Sequence, residues 1–87
     1  MKAVQLEGEA YEQLIQWSVD DINIFRKIHQ LIKDIDRDPF KGLGKPEPLR
    51  YALQGYWSRR ITQEHRLIYK MAKDEIVIVS MVGHYSN

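Results

Sequence analysis

The chain has 87 residues, with 13 basic and 12 acidic side chains, a net charge of +1 and no cysteine. The absence of cysteine excludes a disulfide framework, a thiolate metal site and a cysteine nucleophile. No apolar run approaches the ~20 residues that cross a bilayer, and no basic-then-apolar leader opens the chain, so one domain over residues 1–87 in a cytoplasmic setting is expected.

The charge is unevenly placed. Residues 1–38 carry five basic and eight acidic side chains, whereas residues 39–87 carry eight and four. A local positive field of that kind attracts a phosphate backbone even when the total charge is near zero. It is equally the ordinary mixing of surface charge.

Residues 2–6 form a short opening strand in this reading. Residues 7–18 follow as a helix, because Ala10, Leu14 and Trp17 recur at helical spacing, with Tyr11 and Ile15 widening the stripe. Asp20 or Asp21 caps a second helix, whose stripe is Ile22, Phe25, Ile28, Ile32 and Ile35. That helix ends near Arg37, since Pro39 bars Asp38 from helical geometry. Residues 39–48 read as a loop in which Pro46 and Pro48 hold Glu47 in a stiff frame. The Gly42-x-Gly44-Lys45 run lacks the remainder of a phosphate-binding loop and is rejected as one. Residues 49–53 form a short helical turn. Residues 56–62, 64–71 and 75–82 then alternate or run apolar as three strands. The expected fold is α+β, in the order β-α-α-β-β-β: a curled antiparallel sheet with two N-terminal helices on one face. The other face is left open for Arg60, Arg66 and the end of the chain, with residues from about 83 to 87 as a flexible tail.

Glu47, Arg66, His84 and Tyr85 together supply what RNA cleavage needs. The 2′-OH requires a base, the departing 5′ oxygen an acid, and the crowded phosphate a cation. Histidine titrates near neutrality, arginine presents a planar fork to phosphate, and tyrosine stacks on bases. Lys45, Arg50, Arg59 and Arg60 are candidates for neighbouring phosphates. His65 is either an outer substrate contact or a structural group. The three histidines lack the spacing of a metal site, and no metal or cofactor is expected. The same residues serve a non-catalytic RNA- or ribosome-binding module equally well.

A long ordered set of residues favours cleavage over binding alone. Leu31-Ile32-Lys33-Asp34, Asp38-Pro39-Phe40, Gly44-Lys45-Pro46-Glu47-Pro48-Leu49, Trp57-Ser58-Arg59-Arg60-Ile61-Thr62, Glu64-His65-Arg66-Leu67 and His84-Tyr85 resemble the YoeB toxins of bacterial toxin–antitoxin modules, within the RelE-like superfamily. The resemblance implies a ribosome-dependent mRNA endonuclease that cuts codons in the A site. It implies Glu47 as general base, His84 as general acid, Arg66 as the phosphate-stabilising cation and Tyr85 as the aromatic that seats the substrate. The implied products are a 2′,3′-cyclic phosphate and a 5′-hydroxyl. The implied partners are a YefM-like antitoxin, a second copy of the chain in a homodimer, and operator DNA through the antitoxin only. A degenerate toxin kept as an antitoxin-binding scaffold is less in keeping with intact Glu47, Arg66 and His84. The chain departs from the family in its Ser86-Asn87 extension and in Arg50, which stands where lysine is familiar.

Overall fold

Asp21 separates the two helices and serves both. Its amide donates to Trp17 O at 3.0 Å, closing the first helix. Its carboxylate accepts from the Asn23 and Ile24 amides at 3.0 and 3.3 Å, capping the second. In the computed structural model, which describes residues 1–84, these helices are α1 (Ala10–Asp20) and α2 (Ile22–Arg37). Asp38 is extended, as the following proline requires, and the chain leaves α2 there.

The strands are β1 (Ala3–Leu6), β2 (Glu47–Pro48), β3 (Trp57–Arg60), β4 (Arg66–Ala72) and β5 (Glu75–Ser80), with a 3₁₀ turn at Tyr51–Leu53. They form one sheet in the order β1-β5-β4-β3-β2. The α+β class and the helix–sheet layering are as expected, with two differences in detail. β1 joins the edge of β5 in parallel, through the pairs from Ala3↔Glu75 to Leu6↔Ile78, so the sheet is mixed. The stretch read as loop around Glu47 contributes a two-residue edge strand, Glu47↔Ser58 and Pro48↔Trp57. Prolines on both sides hide such a strand from periodicity, and only an edge tolerates their missing amides.

The core lies between the helices and one sheet face. Ile28, Leu31 and Ile35 of α2 meet Leu67, Tyr69, Ile76 and Ile78 of the central strands, with Ala10, Ile61 and Met81 completing the cluster. The α1 stripe is narrower than its sequence pattern. Leu14 and Trp17 pack on the core, while Tyr11 and Ile15 remain about half exposed. A register shift between Ile68 and Tyr69 sets Ile68 opposite Ser80 but Tyr69 opposite Ile78, leaving Val79 as a bulge. Beyond it the chain leaves the ladder, and α1 holds it instead. Gln13 Oε1 accepts from the Met81 amide at 2.6 Å, and the Trp17 indole N–H donates to Met81 O at 3.1 Å.

Candidate functional site

Strand pairing sets a row of side chains across the sheet face away from the helices. Glu47 on β2 stands opposite Ser58 on β3, Ser58 opposite Ile68 on β4, and Ile68 opposite Ser80 on β5. The next pair along is Arg60↔Arg66. Directly opposed like charges on neighbouring strands repel, and an anion between them would relieve the cost. Arg66 reaches back toward the row, its Nη1 donating to Ser58 Oγ at 3.5 Å. Its Nε is buried and has no hydrogen-bond partner among the described residues. A buried donor without a partner costs about 1–3 kcal/mol, which sets this guanidinium apart from that of Arg59. Glu47 is exposed at the edge beside it.

The last described residues are tied to the start of β4. The Arg66 amide donates to Gly83 O at 2.9 Å, and the Gly83 amide donates to His65 Nδ1 at 3.0 Å. Gly83 has φ +87°, a conformation side chains rarely adopt. His84 follows immediately and is exposed. Both polar backbone groups of Gly83 are therefore bonded, and the tail begins from a pinned residue. The remainder of the expected flexible tail, with Tyr85, lies outside the described residues.

Arg59 is the clear correction among the candidates. The sequence pattern places it with the phosphate-binding cations, but it is fully buried. It faces the core side of β3, opposite in parity to Ser58 and Arg60. Its Nη1 donates to Asp34 Oδ2 at 2.5 Å and to Leu43 O at 3.1 Å, and its Nη2 donates to Asp38 O at 2.6 Å and Lys41 O at 3.2 Å. Nε donates to the Tyr69 hydroxyl at 3.1 Å, which in turn donates to Pro39 O at 2.6 Å. Arg59 thus anchors the loop that leads to Glu47 and leaves no fork for RNA. Partial burial pushes the Asp34 carboxyl up, but Arg37, the Leu43 amide and Arg59 outweigh it and lower it to about 2. Burial pushes the Tyr69 phenol up, against the opposing influence of Arg59.

His65 lies across the strand from Arg66, as alternation requires. Its ring meets Trp17 edge-on at 4.9 Å. It lines a groove with Glu12 and Asp20 of α1 and with Glu9 just before that helix, away from the Glu47 row. Lys45, Arg50 and Arg60 are exposed. Ser58 was missed by the sequence reading. Its parity with Arg60 was the available signal. Among the described residues, no group of three or more His, Asp or Glu side chains is placed to hold a metal ion.

A family model described as "YoeB-like toxin of bacterial type II toxin-antitoxin system" matches residues 6–85. The chain is 48% identical to Toxin YoeB of Streptomyces coelicolor, over 94% of this chain and 98% of that one. It is 47% identical to Toxin YoeB of Escherichia coli K12, over 98% of this chain and 100% of the relative. Among solved structures, the YoeB dimer of Staphylococcus aureus superposes with a TM-score of 0.91 at 39% identity, covering 97% of this chain and 98% of that one. The YoeB–YefM complex from the same organism gives 0.90 at 37% identity, covering 98% and 99%. YafQ of E. coli, at 19% identity and a TM-score of 0.71 over 97% of this chain and 94% of that one, shares the fold.

Proposed function

The chain belongs to the YoeB-like toxins of bacterial type II toxin–antitoxin systems, and from that premise we propose that it is a ribosome-dependent mRNA endonuclease cutting codons in the A site. The observation that carries this reading is the partnerless Arg66 Nε, opposite Arg60 and joined through Ser58 to the Glu47 edge. In this mechanism Glu47 takes the proton from the 2′-OH, which then attacks the adjacent phosphorus. Arg66 meets the charge gathering on the non-bridging oxygens. His84 gives a proton to the departing 5′ oxygen. The products are a 2′,3′-cyclic phosphate and a 5′-hydroxyl, and no metal or cofactor is required. Tyr85 stacks on a base to seat the codon. Lys45, Arg50 and Arg60 hold flanking phosphates, and His65 supports the site from behind.

Glu47 is exposed on a two-residue edge strand, a weak place from which to align a loose RNA. A ribosome that kinks and holds the codon supplies the missing alignment, worth several kcal/mol in principle. The substrate puts the protein in the cytoplasm, and no described helix is long and apolar enough to cross a membrane. A YefM-like antitoxin and a homodimer are its proposed partners, supported by the S. aureus structures named as a YoeB–YefM complex and a YoeB dimer. Operator DNA is reached through the antitoxin alone.

The test is cleavage of a message programmed on purified ribosomes, with the cut and both new ends mapped. Glu47→Ala and His84→Ala are each expected to lower the single-turnover rate by about 10²–10⁴-fold while leaving ribosome binding intact. Tight binding without a cut by the wild type would instead establish a non-cleaving ribosome-binding module.

A further inference from the structure

We infer that His65 is a positioning residue that sets the place of His84 through Gly83, and that it does so only as neutral imidazole. The Gly83 N–H donates to His65 Nδ1 at 3.0 Å, so that nitrogen must carry a lone pair. The ring proton then lies on Nε2. Protonation turns Nδ1 into a second donor facing the Gly83 donor, and the bond is lost. Gly83 O remains bonded to the Arg66 amide at 2.9 Å, so the residue pivots about one attachment where it had two. Gly83 sits in the left-handed region, where glycine moves easily, and His84 is the next residue along.

The ring is held for this task from the helix side. It packs edge-on against Trp17, and Trp17 is itself tied to Met81 O. α1 thereby grips the departing chain at Met81 directly and at Gly83 through His65. Glu12 and Asp20 of α1, with Glu9 just before it, line the groove that His65 faces, while Glu64 and Arg66 are its chain neighbours. A ring carrying protons on both nitrogens would release His84 from its seat.

This inference deepens the proposed nuclease reading and rests on it for its kinetic consequence alone. The test pairs His65→Phe with His65→Asn. Phenylalanine keeps a ring against Trp17 but offers no acceptor. Asparagine places Oδ1 at the same bond distance from Cα as Nδ1 and does not titrate. In ribosome-bound cleavage, His65→Phe is expected to lose about 10–100-fold in kcat with KM within about twofold, as for a misplaced acid. His65→Asn should recover most of that rate and show a flatter loss of activity on acidification than the wild type. In parallel, ¹⁵N NMR of the wild-type chain reads the tautomer of His65 directly, and the Gly83 amide signal should shift as the ring protonates. A wild-type kcat in His65→Phe, equal losses in both variants, or a neutral His65 carrying its proton on Nδ1 would overturn the proposal. A wild type that cuts nothing would overturn the nuclease reading, while the NMR arm still decides the clamp.

Discussion

Asp34 and Arg59 hold the loop that leads to Glu47. Arg59 is fully buried, and its charge is matched by Asp34 and by three loop carbonyls. Removing one partner of such a pair leaves a buried charge uncompensated, at a cost of about 3–5 kcal/mol. Asp34→Asn is accordingly expected to lower the unfolding free energy by about 3 kcal/mol in urea titration near neutral pH. The pH dependence has a definite sign. The Asp34 carboxyl is lowered in the folded chain from 3.8 to about 2, so its contribution is present above the unfolded value. It is lost as the pH falls through about 2. The stability gap between wild type and Asp34→Asn should therefore narrow between pH 4 and pH 2. A gap of constant size would show that the carboxylate charge contributes little.

At the scale of elements, β2 depends on the turn that delivers it. The Arg60 amide donates to Gly44 O at 2.6 Å, and Gly44 has φ +80°. A Cβ at Gly44 would stand 2.9 Å from Arg60 O, 3.0 Å from Leu31 Cδ2 and 3.1 Å from Arg59 Cβ. Gly44→Ala therefore combines left-handed strain with a collision against backbone. It is expected to cost about 2–4 kcal/mol and to slow cleavage by displacing Glu47. Gly55, at φ +96°, has nothing within 4 Å of an added Cβ. Gly55→Ala carries only the backbone strain, about 1 kcal/mol. Thermal denaturation of the two variants side by side checks the difference. Equal losses would mean that packing around Gly44 gives way freely.

Across the whole molecule, the acidic side chains concentrate in the helical half and the basic ones in the sheet half. The Cα radius of gyration is 11.8 Å, so under the proposed nuclease function a nucleic acid would meet few side chains at once. Affinity for free RNA should be weak and salt-dependent, with most alignment supplied by the ribosome. Arg60→Gln removes one exposed cation opposite Arg66. It is expected to reduce the slope of log affinity against log salt by about 1, with little change in melting temperature. An unchanged slope would take Arg60 off the phosphate path. Fast cleavage of protein-free mRNA would remove the need for the ribosome.

Periodicity and punctuation determined the two helices, a cap at Asp20 or Asp21, the stop before Pro39 and the three later strands, because each is dictated within a few residues along the chain. The ordered Pro-Glu-Pro, Glu-His-Arg and His-Tyr words carried the family and named Glu47, Arg66 and His84. Pairing between distant segments was not legible. Four residues of β1 can lie along either edge in either direction, and only packing of Leu6 against the core and register with residues 75–78 select the parallel place. The two faces of β3 decided the arginines. Arg59 and Arg60 are neighbours of like charge in sequence, yet alternation sends one into the core and the other to solvent. Which one goes inward depends on where Asp34 stands after α2 has packed. The seat of His84 is tertiary in the same sense, since the Trp17–His65–Gly83 chain joins a helix, a strand and the tail that are far apart in sequence and meet only once the core has formed.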